Sequence, residues 1–364
     1  MERKLASIRK INEIRPIEGA DLIEIAVVGG WYVIVKKGEY KANDLAVYFE
    51  IDSWIPTELA EFLSNGKEPR EYNGVKGERL RSKKMRGVVS QGLLLPIDEV
   101  INKIPKEDIQ YLDGGYIKFG EADPVRLFEE GSDLTEILGI QKWEKPISAQ
   151  LQGVAKGNFP THISPKTDAE RIQNLTNRIQ GWKDRDLKFE VTEKLDGTSF
   201  TYVRFKYGDD HYESHVCSRN LSLEETEENL YWQIARKYDI INKVEELGLN
   251  ISIQGEIIGQ NVQSGQFKIP PELRVFNIYD IDNHGYMEPH KRIEICEKLG
   301  LLHAPRIADE LSIRDFDGVQ EMLAFAEGKS IINGTEREGL VWKCTTDNTI
   351  MFKTISNKWL LKNE

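Results

Sequence analysis

Cysteine is scarce in this chain of 364 residues: Cys217, Cys296 and Cys344 stand far apart, with no paired spacing. That argues against a disulfide framework and a thiolate zinc site, and it predicts a reducing, cytoplasmic compartment. The six histidines show no H-x-x-x-H spacing, so a helical metal site is not expected either. Long apolar runs are missing too. No stretch approaches the roughly 20 residues that span a bilayer, and the opening MERKLASIRK lacks the apolar core of a signal peptide. No association with a membrane is expected. Positive charge is in deficit, with 49 Lys and Arg against 60 Asp and Glu for a net charge of −11. Such a balance argues against nucleic-acid binding by the whole surface, though not by a local groove.

What the chain does have is the makeup of a globular protein, 40% hydrophobic and 30% charged. Its length allows two domains, each with a core. The first hundred residues read as strands. KLASIRKINEI, LIEIAVVGGWYVIVKKG and DLAVYFEID carry β-branched and aromatic runs with turns at Gly29-Gly30 and Lys37-Gly38, and SQGLLLPI is a further strand closed by Pro96. Short strands at this spacing predict a small antiparallel β-barrel of the OB type. From Glu99 to about Gly157 the pattern is irregular, which places a boundary near 130–155. The expected domains are an OB-like nucleic-acid-binding domain with linker over 1–150 and a second domain over 151–364.

In that second domain Thr167 and Glu170 have capping-box spacing ahead of Ile172, Leu175 and Ile179, which predicts a helix there. Ser222 and Glu225 repeat the signal before a helix expected to bury Ile234, Tyr238, Ile241 and Val244. LKFEVTEKLDGTSFTYVRF reads as two strands joined through the Asp196-Gly197 turn. NISIQGEIIG, ELRVFNIYDID, GLVWKC and TIMFKTIS are further strands, with helices near 289–299 and 315–327. This order predicts an α+β fold in which antiparallel sheets dominate.

Two stretches carry chemistry. GERLRSKKMRG packs Arg79, Arg81, Lys83, Lys84 and Arg86 into eight positions of an otherwise acidic chain. A solvated loop and a phosphate-binding strip explain it equally well. VTEKLDGTSF sets Lys194 beside Asp196 and Gly197. A lysine amine is a covalent nucleophile only where its pKa falls enough to leave a neutral fraction near pH 7. Taken alone, K-x-D-G is more simply a surface lysine before an Asp-Gly turn.

The clusters downstream change that balance. In order, EKLDGTS, CSRN, IQGEIIG, RVFNIYDI, EREGLVWK and MFKTIS resemble the motif series of the lysine nucleotidyltransferase superfamily, which holds the ATP-dependent RNA and DNA ligases and the mRNA capping enzymes. The resemblance covers residues 158–364. PIEGADLIEIAVVGGWYVIVKKGEYKANDLAVYFEIDSWIP and LRSKKMRGVVSQGLLLPI are similar to the OB domain of one RNA-ligase branch, where that domain precedes the catalytic one. In DNA ligases and capping enzymes it follows.

The resemblance implies an ATP-dependent RNA ligase with ATP as co-substrate, Mg2+ or Mn2+ as metal, and broken or nicked RNA as partner. It implies Lys194 as the residue that takes AMP, its pKa lowered by nearby cations, Lys353 foremost. It implies Asp196, Glu256 and Glu338 around the metal's hydration shell, with Glu256 also part of the nucleotide site. Arg219 would meet sugar or phosphate, Phe276 would stack on adenine, and Lys343 and Lys353 would grip the phosphates. FPTHISPKTDAERIQ is similar to a stretch of the same branch, which adds Lys166, Thr167 and Arg171 as residues closing over the nucleotide. The basic residues at 79–86 would bind the RNA strand, with Trp31 available for stacking. The last motif departs from the family: a second lysine is replaced by Ile355, leaving Lys358 as the candidate substitute. Two other readings stay open. One is a DNA ligase or capping guanylyltransferase using the same lysine; the other is a catalytically silent RNA-binding protein on the same scaffold.

Overall fold

The computed structural model describes residues 3–104, 109–119, 123–126, 129–145, 149–208 and 211–364. The chain divides into two compact units, one of Met1–Pro146 with Glu364 and the other of Ile147–Asn363.

In the first unit the strands form where β-branched and aromatic residues alternate. Trp31–Lys36 buries every second side chain and pairs antiparallel with Ile23–Val28, Val28 facing Trp31 across the Gly29-Gly30 turn. Leu45–Phe49 is flanked by Ala6–Lys10 on one side and Leu93–Leu95 on the other. One apolar cluster gathers around Phe49, Ile55 and Leu95, another around Trp31 and Tyr48. The strand expected over SQGLLLPI is two, Val88–Ser90 and Leu93–Leu95, and Pro96 stands at the start of a helix, Ile97–Asn102. A proline lacks the N–H that a helix start leaves unsatisfied anyway.

The second unit is built on two sheets. An eight-stranded one runs Ala155–Asn158, Leu221–Leu223, Tyr212–Cys217, Thr198–Lys206, Ile251–Ile258, Glu272–Asp280 and Gly285–Tyr286, with Leu302–His303 beside Glu272–Asp280. A five-stranded one runs Glu170–Arg171, Met351–Ile355, Gly339–Cys344, Lys188–Lys194 and Arg306–Ser312. Most neighbours are antiparallel; Glu170–Arg171 lies parallel to Met351–Ile355. The fold is α+β, as expected.

Four local expectations are corrected. Lys188–Lys194 and Thr198–Lys206 do not form a hairpin, because they lie in different sheets. Phe189 and Val191 fill a core with Trp182, Trp342 and Phe352, whereas Phe200 and Tyr202 fill one with Ile253 and Val275. Asp196-Gly197 therefore carries the chain between sheets.

Thr167 caps no helix. Glu170 and Arg171 pair as a strand with Phe352 and Lys353, and the helix begins only at Thr176. Ser222 likewise sits in a strand, and the next helix is capped by Asn229, whose side chain accepts from the Tyr231 N–H. In both places sheet pairing outcompetes a local cap. The helix expected to run through Val244 is two, Leu230–Lys237 and Ile240–Leu247, broken at Asp239 with φ +54°. The helices near 289–299 and 315–327 are present as Pro289–Leu299 and Val319–Ala326.

Candidate active site

Lys194 is the last residue of its strand and stands opposite Gly339. Glu338, immediately before that glycine, is thereby brought beside the lysine, and Lys194 Nζ donates to Glu338 Oε1 at 2.5 Å. A Cβ on Gly339 would lie 2.3 Å from the Thr354 carbonyl oxygen, so only glycine lets these strands approach so closely. The crossover then brings in the other sheet. Ser199 pairs with Glu256, and both Glu256 and Asp196 act electrostatically on the Lys194 amine. Gly197 is obligatory here too, because its Cβ would stand 2.2 Å from the Ile257 carbonyl oxygen. Lys353, opposite Val341 and beside Arg171, adds a cation from the next strand.

The charge state differs from the expectation. Burial opposes the Lys194 ammonium, but the Glu338 and Glu256 carboxylates outweigh it, and its pKa is raised above the ordinary lysine value. The sequence named these carboxylates as companions of the metal; it did not reveal that they outweigh the cations at this amine. The Lys353 amine, by contrast, is pushed down to about 8 by burial, with Arg171 and Lys194 helping and Asp168 opposing. Burial pushes the Glu256 carboxyl up to about 8 and raises Glu338 as well.

Among the described residues no three His, Cys, Asp or Glu side chains are grouped to hold a metal ion directly. Asp196, Glu256 and Glu338 nevertheless all act on one cation, the Lys194 ammonium, Glu338 by direct contact. Buried carboxylates whose negative charge needs a compensating cation suit a hard divalent ion that keeps its water shell. The residues fit Mg2+ or Mn2+ held through water.

Lys343, expected to grip the phosphates, is turned inward to a backbone carbonyl. It is buried, and its Nζ donates to the Phe276 carbonyl, 5.9 Å from the Phe276 ring centroid. Burial, aided by Arg292, lowers its pKa well below the usual lysine value. Arg292 makes a buried pair with Glu190 at 2.5 Å, and its Nε donates to His303 Nε2 at 2.9 Å. Since His303 Nδ1 lies 2.7 Å from the Ala304 carbonyl, this histidine is neutral with its proton on Nδ1. Burial holds its pKa down at about 4. Phe276 is half-buried and packs with Leu195, Ile258 and Phe267.

Around the rim, Lys353 Nζ donates to Asp168 Oδ1 at 2.9 Å, Arg219 approaches Asp168 Oδ2 at 3.5 Å, and Lys166 Nζ donates to Asn220 Oδ1 at 2.9 Å. Thr167 is half-buried between them in sequence, and Arg171 is buried. Ser264 donates to the Asp196 carboxylate. Ile355 is buried, and Lys358 is exposed and paired with Glu327 at 2.7 Å. Asp168, Ser264 and the Glu190–Arg292–His303 set were missed in the sequence. Asp168 lies inside FPTHISPKTDAERIQ and was within reach; the others share no spacing with the motifs.

In the first unit the basic residues part company. Arg79 is paired with Asp52 at 2.6 Å and lies 3.9 Å over the Trp143 ring, so its charge is spent internally. Arg81 is half-buried. Lys83, Lys84 and Arg86 are exposed and make no ion pair among the described residues, on a hairpin of Lys83–Met85 with Val88–Ser90 that turns at Arg86-Gly87. Trp31 is buried against Tyr48 and is not a stacking platform.

Residues 187–359 match a family model described as RNA ligase, and residues 5–97 match one described as an OB-fold domain. The whole chain is similar to solved structures of a Naegleria gruberi RNA ligase. An apo variant of that protein is 41% identical over 99% of this chain and 98% of its own, with a TM-score of 0.83. A variant with ATP and Mn is 40% identical over 99% of each chain, TM-score 0.82. The form with PPi is 40% identical over 99% of each, TM-score 0.83. No curated protein matches this chain.

Proposed function

This chain belongs to the RNA ligase family and is an ATP-dependent RNA ligase, and from that premise we propose that it joins a 3′-hydroxyl to a 5′-phosphate of RNA through AMP carried on Lys194. The observation that carries this reading is the Lys194 amine, lodged among Glu338, Glu256 and Asp196 where two sheets meet.

At rest the amine is an ammonium. It becomes a nucleophile when its proton leaves, and Glu338, hydrogen-bonded to it and raised in pKa by burial, is the acceptor. Lys194 Nζ then forms a bond to the α-phosphorus of ATP while the bond to the bridging oxygen of the β-phosphate breaks, and pyrophosphate leaves with that electron pair. In the second transfer a 5′-phosphate oxygen of RNA attacks the same phosphorus, the N–P bond breaks and the amine is regenerated. In the third the 3′-hydroxyl oxygen attacks the 5′-phosphate, its proton is lost, and AMP leaves. A divalent cation held through water by Asp196, Glu256 and Glu338 would offset phosphate charge.

The chain's own residues do the positioning. Lys353 and Arg219 meet the phosphates, Phe276 meets the adenine face, and Lys166, Thr167 and Arg171 close over the nucleotide. Lys343, set behind Phe276, steadies the base platform. Residues 151–364 are assigned the nucleotidyl transfers and residues 1–150 the RNA strand, with Lys83, Lys84 and Arg86 on its phosphates. The buried, unpaired thiols of Cys217, Cys296 and Cys344 support a cytoplasmic setting.

Incubation with ATP labelled at the α-phosphorus should leave label on the denatured chain, and Lys194→Ala should abolish it. A wild-type chain that stays unlabelled with Mg2+ or Mn2+ present overturns the reading. Competition by GTP would point to a capping enzyme, and sealing of nicked DNA in preference to nicked RNA to a DNA ligase.

A further inference from the structure

Asp168 stands where two cations of the nucleotide site converge. Its Oδ1 accepts from Lys353 and its Oδ2 faces Arg219, so each oxygen of one carboxylate is turned to a different basic side chain. The three come from separate elements: Asp168 from the segment before Glu170–Arg171, Arg219 from the turn before Leu221–Leu223, Lys353 from Met351–Ile355. The same segment is pinned a second time, by Lys166 on Asn220.

This arrangement contributes little to stability. The Asp168 and Arg219 side chains are 47% and 50% exposed, and ion pairs so open to water add almost nothing to folding. What it does is occupy two basic groups with an anion. A phosphate offers the same kind of oxygen acceptor with more charge, and guanidinium binds its oxygens as it binds those of a carboxylate.

We propose that Asp168 is an internal stand-in for a nucleotide phosphate, holding Lys353 and Arg219 in place until the polyphosphate of ATP displaces it. The proposal rests on the reading that these two cations receive phosphate. The free enzyme then has its cations gathered instead of repelling one another, and Asp168 returns to them when pyrophosphate departs. Because the binding-competent form is the one with Asp168 swung away, the apparent affinity for polyphosphate is reduced by the fraction of time the carboxylate is in place.

Asp168→Asn keeps the shape and removes the charge. Calorimetric titration of the full chain with inorganic tripolyphosphate should show Kd falling about three- to tenfold in this variant, and Asp168→Glu should return it to the wild-type value. The ATP concentration giving half-maximal Lys194 labelling should fall by the same factor, with the maximal rate little changed. Tripolyphosphate affinity that is unchanged or weaker in Asp168→Asn overturns the proposal, because Asp168 would then be inert or itself a substrate ligand. Failure of the wild type to form any adenylate would sink the ligase reading instead, while the tripolyphosphate comparison still decides the role of Asp168.

Discussion

Lys194 illustrates how a single residue's chemistry depends on neighbours that sequence spacing does not reveal. Three carboxylates keep its ammonium charged, against burial. Glu338 is therefore more than an anchor: Glu338→Gln should slow Lys194 labelling on the order of 10²-fold or more, measured in a single turnover at saturating ATP. His303 makes the opposite case, a histidine kept neutral by burial and by the Arg292 guanidinium, against the opposing pull of the Ala304 carbonyl. Its folded pKa of about 4 lies below the ordinary 6.5. Between those values the unfolded chain binds a proton that the folded chain refuses. Stability is thus complete above about pH 6.5 and is lost as pH falls toward 4, by on the order of 3 kcal/mol. Urea unfolding at pH 7.5 and pH 4.5 should show this loss in the wild type and a smaller one in His303→Gln. An imidazole titrating near 6.5 in the folded protein would contradict it.

The elements are decided by which core each strand's inward face fills. Strand runs were legible because alternation of β-branched and aromatic residues marks one buried face, and Lys188–Lys194 and Thr198–Lys206 are both where the pattern puts them. Their partners were not legible, since pairing joins residues far apart in the chain. The two capping signals failed for that reason, each running into a segment that a distant strand recruits, Met351–Ile355 for Glu170 and Ala155–Asn158 for Ser222.

Gly197 carries the crossover. Gly197→Ala would force Ile257 and the adjoining strand apart, and labelling of Lys194 should fall by more than about tenfold, as small displacements at a reacting centre do. The Glu190–Arg292 pair ties the Lys188–Lys194 strand to the helix Pro289–Leu299. Arg292→Met leaves a buried carboxylate alone and should cost about 3–5 kcal/mol in denaturant unfolding. Adding Glu190→Gln should recover much of the loss; no recovery would mean the cost is one of packing.

At the scale of the whole molecule, a net charge of −11 leaves local basic features to meet RNA. Of the five basic residues between 79 and 86, three are exposed and unspent, because Arg79 serves Asp52 and Trp143 and Arg81 is half-buried. Changing Lys83, Lys84 and Arg86 together to Glu should weaken RNA binding and flatten its salt dependence by about 3 in the log–log slope, while Lys194 labelling persists. Binding isotherms at several salt concentrations check this. An unchanged slope would remove the hairpin from the interface.

The sequence by itself determined the fold class and the OB-type strands, because periodicity is a local property of the chain, while Lys194 and its acidic companions came as expectations from the order of the motifs. Only tertiary structure decided that Asp196-Gly197 crosses between sheets, that Lys343 turns inward to a carbonyl, and that Asp168 faces Lys353 and Arg219. The physical reason is the same in each case. Burial and charge proximity arise between segments distant in the chain, and they set both the pKa of Lys194 and the partner of each cation.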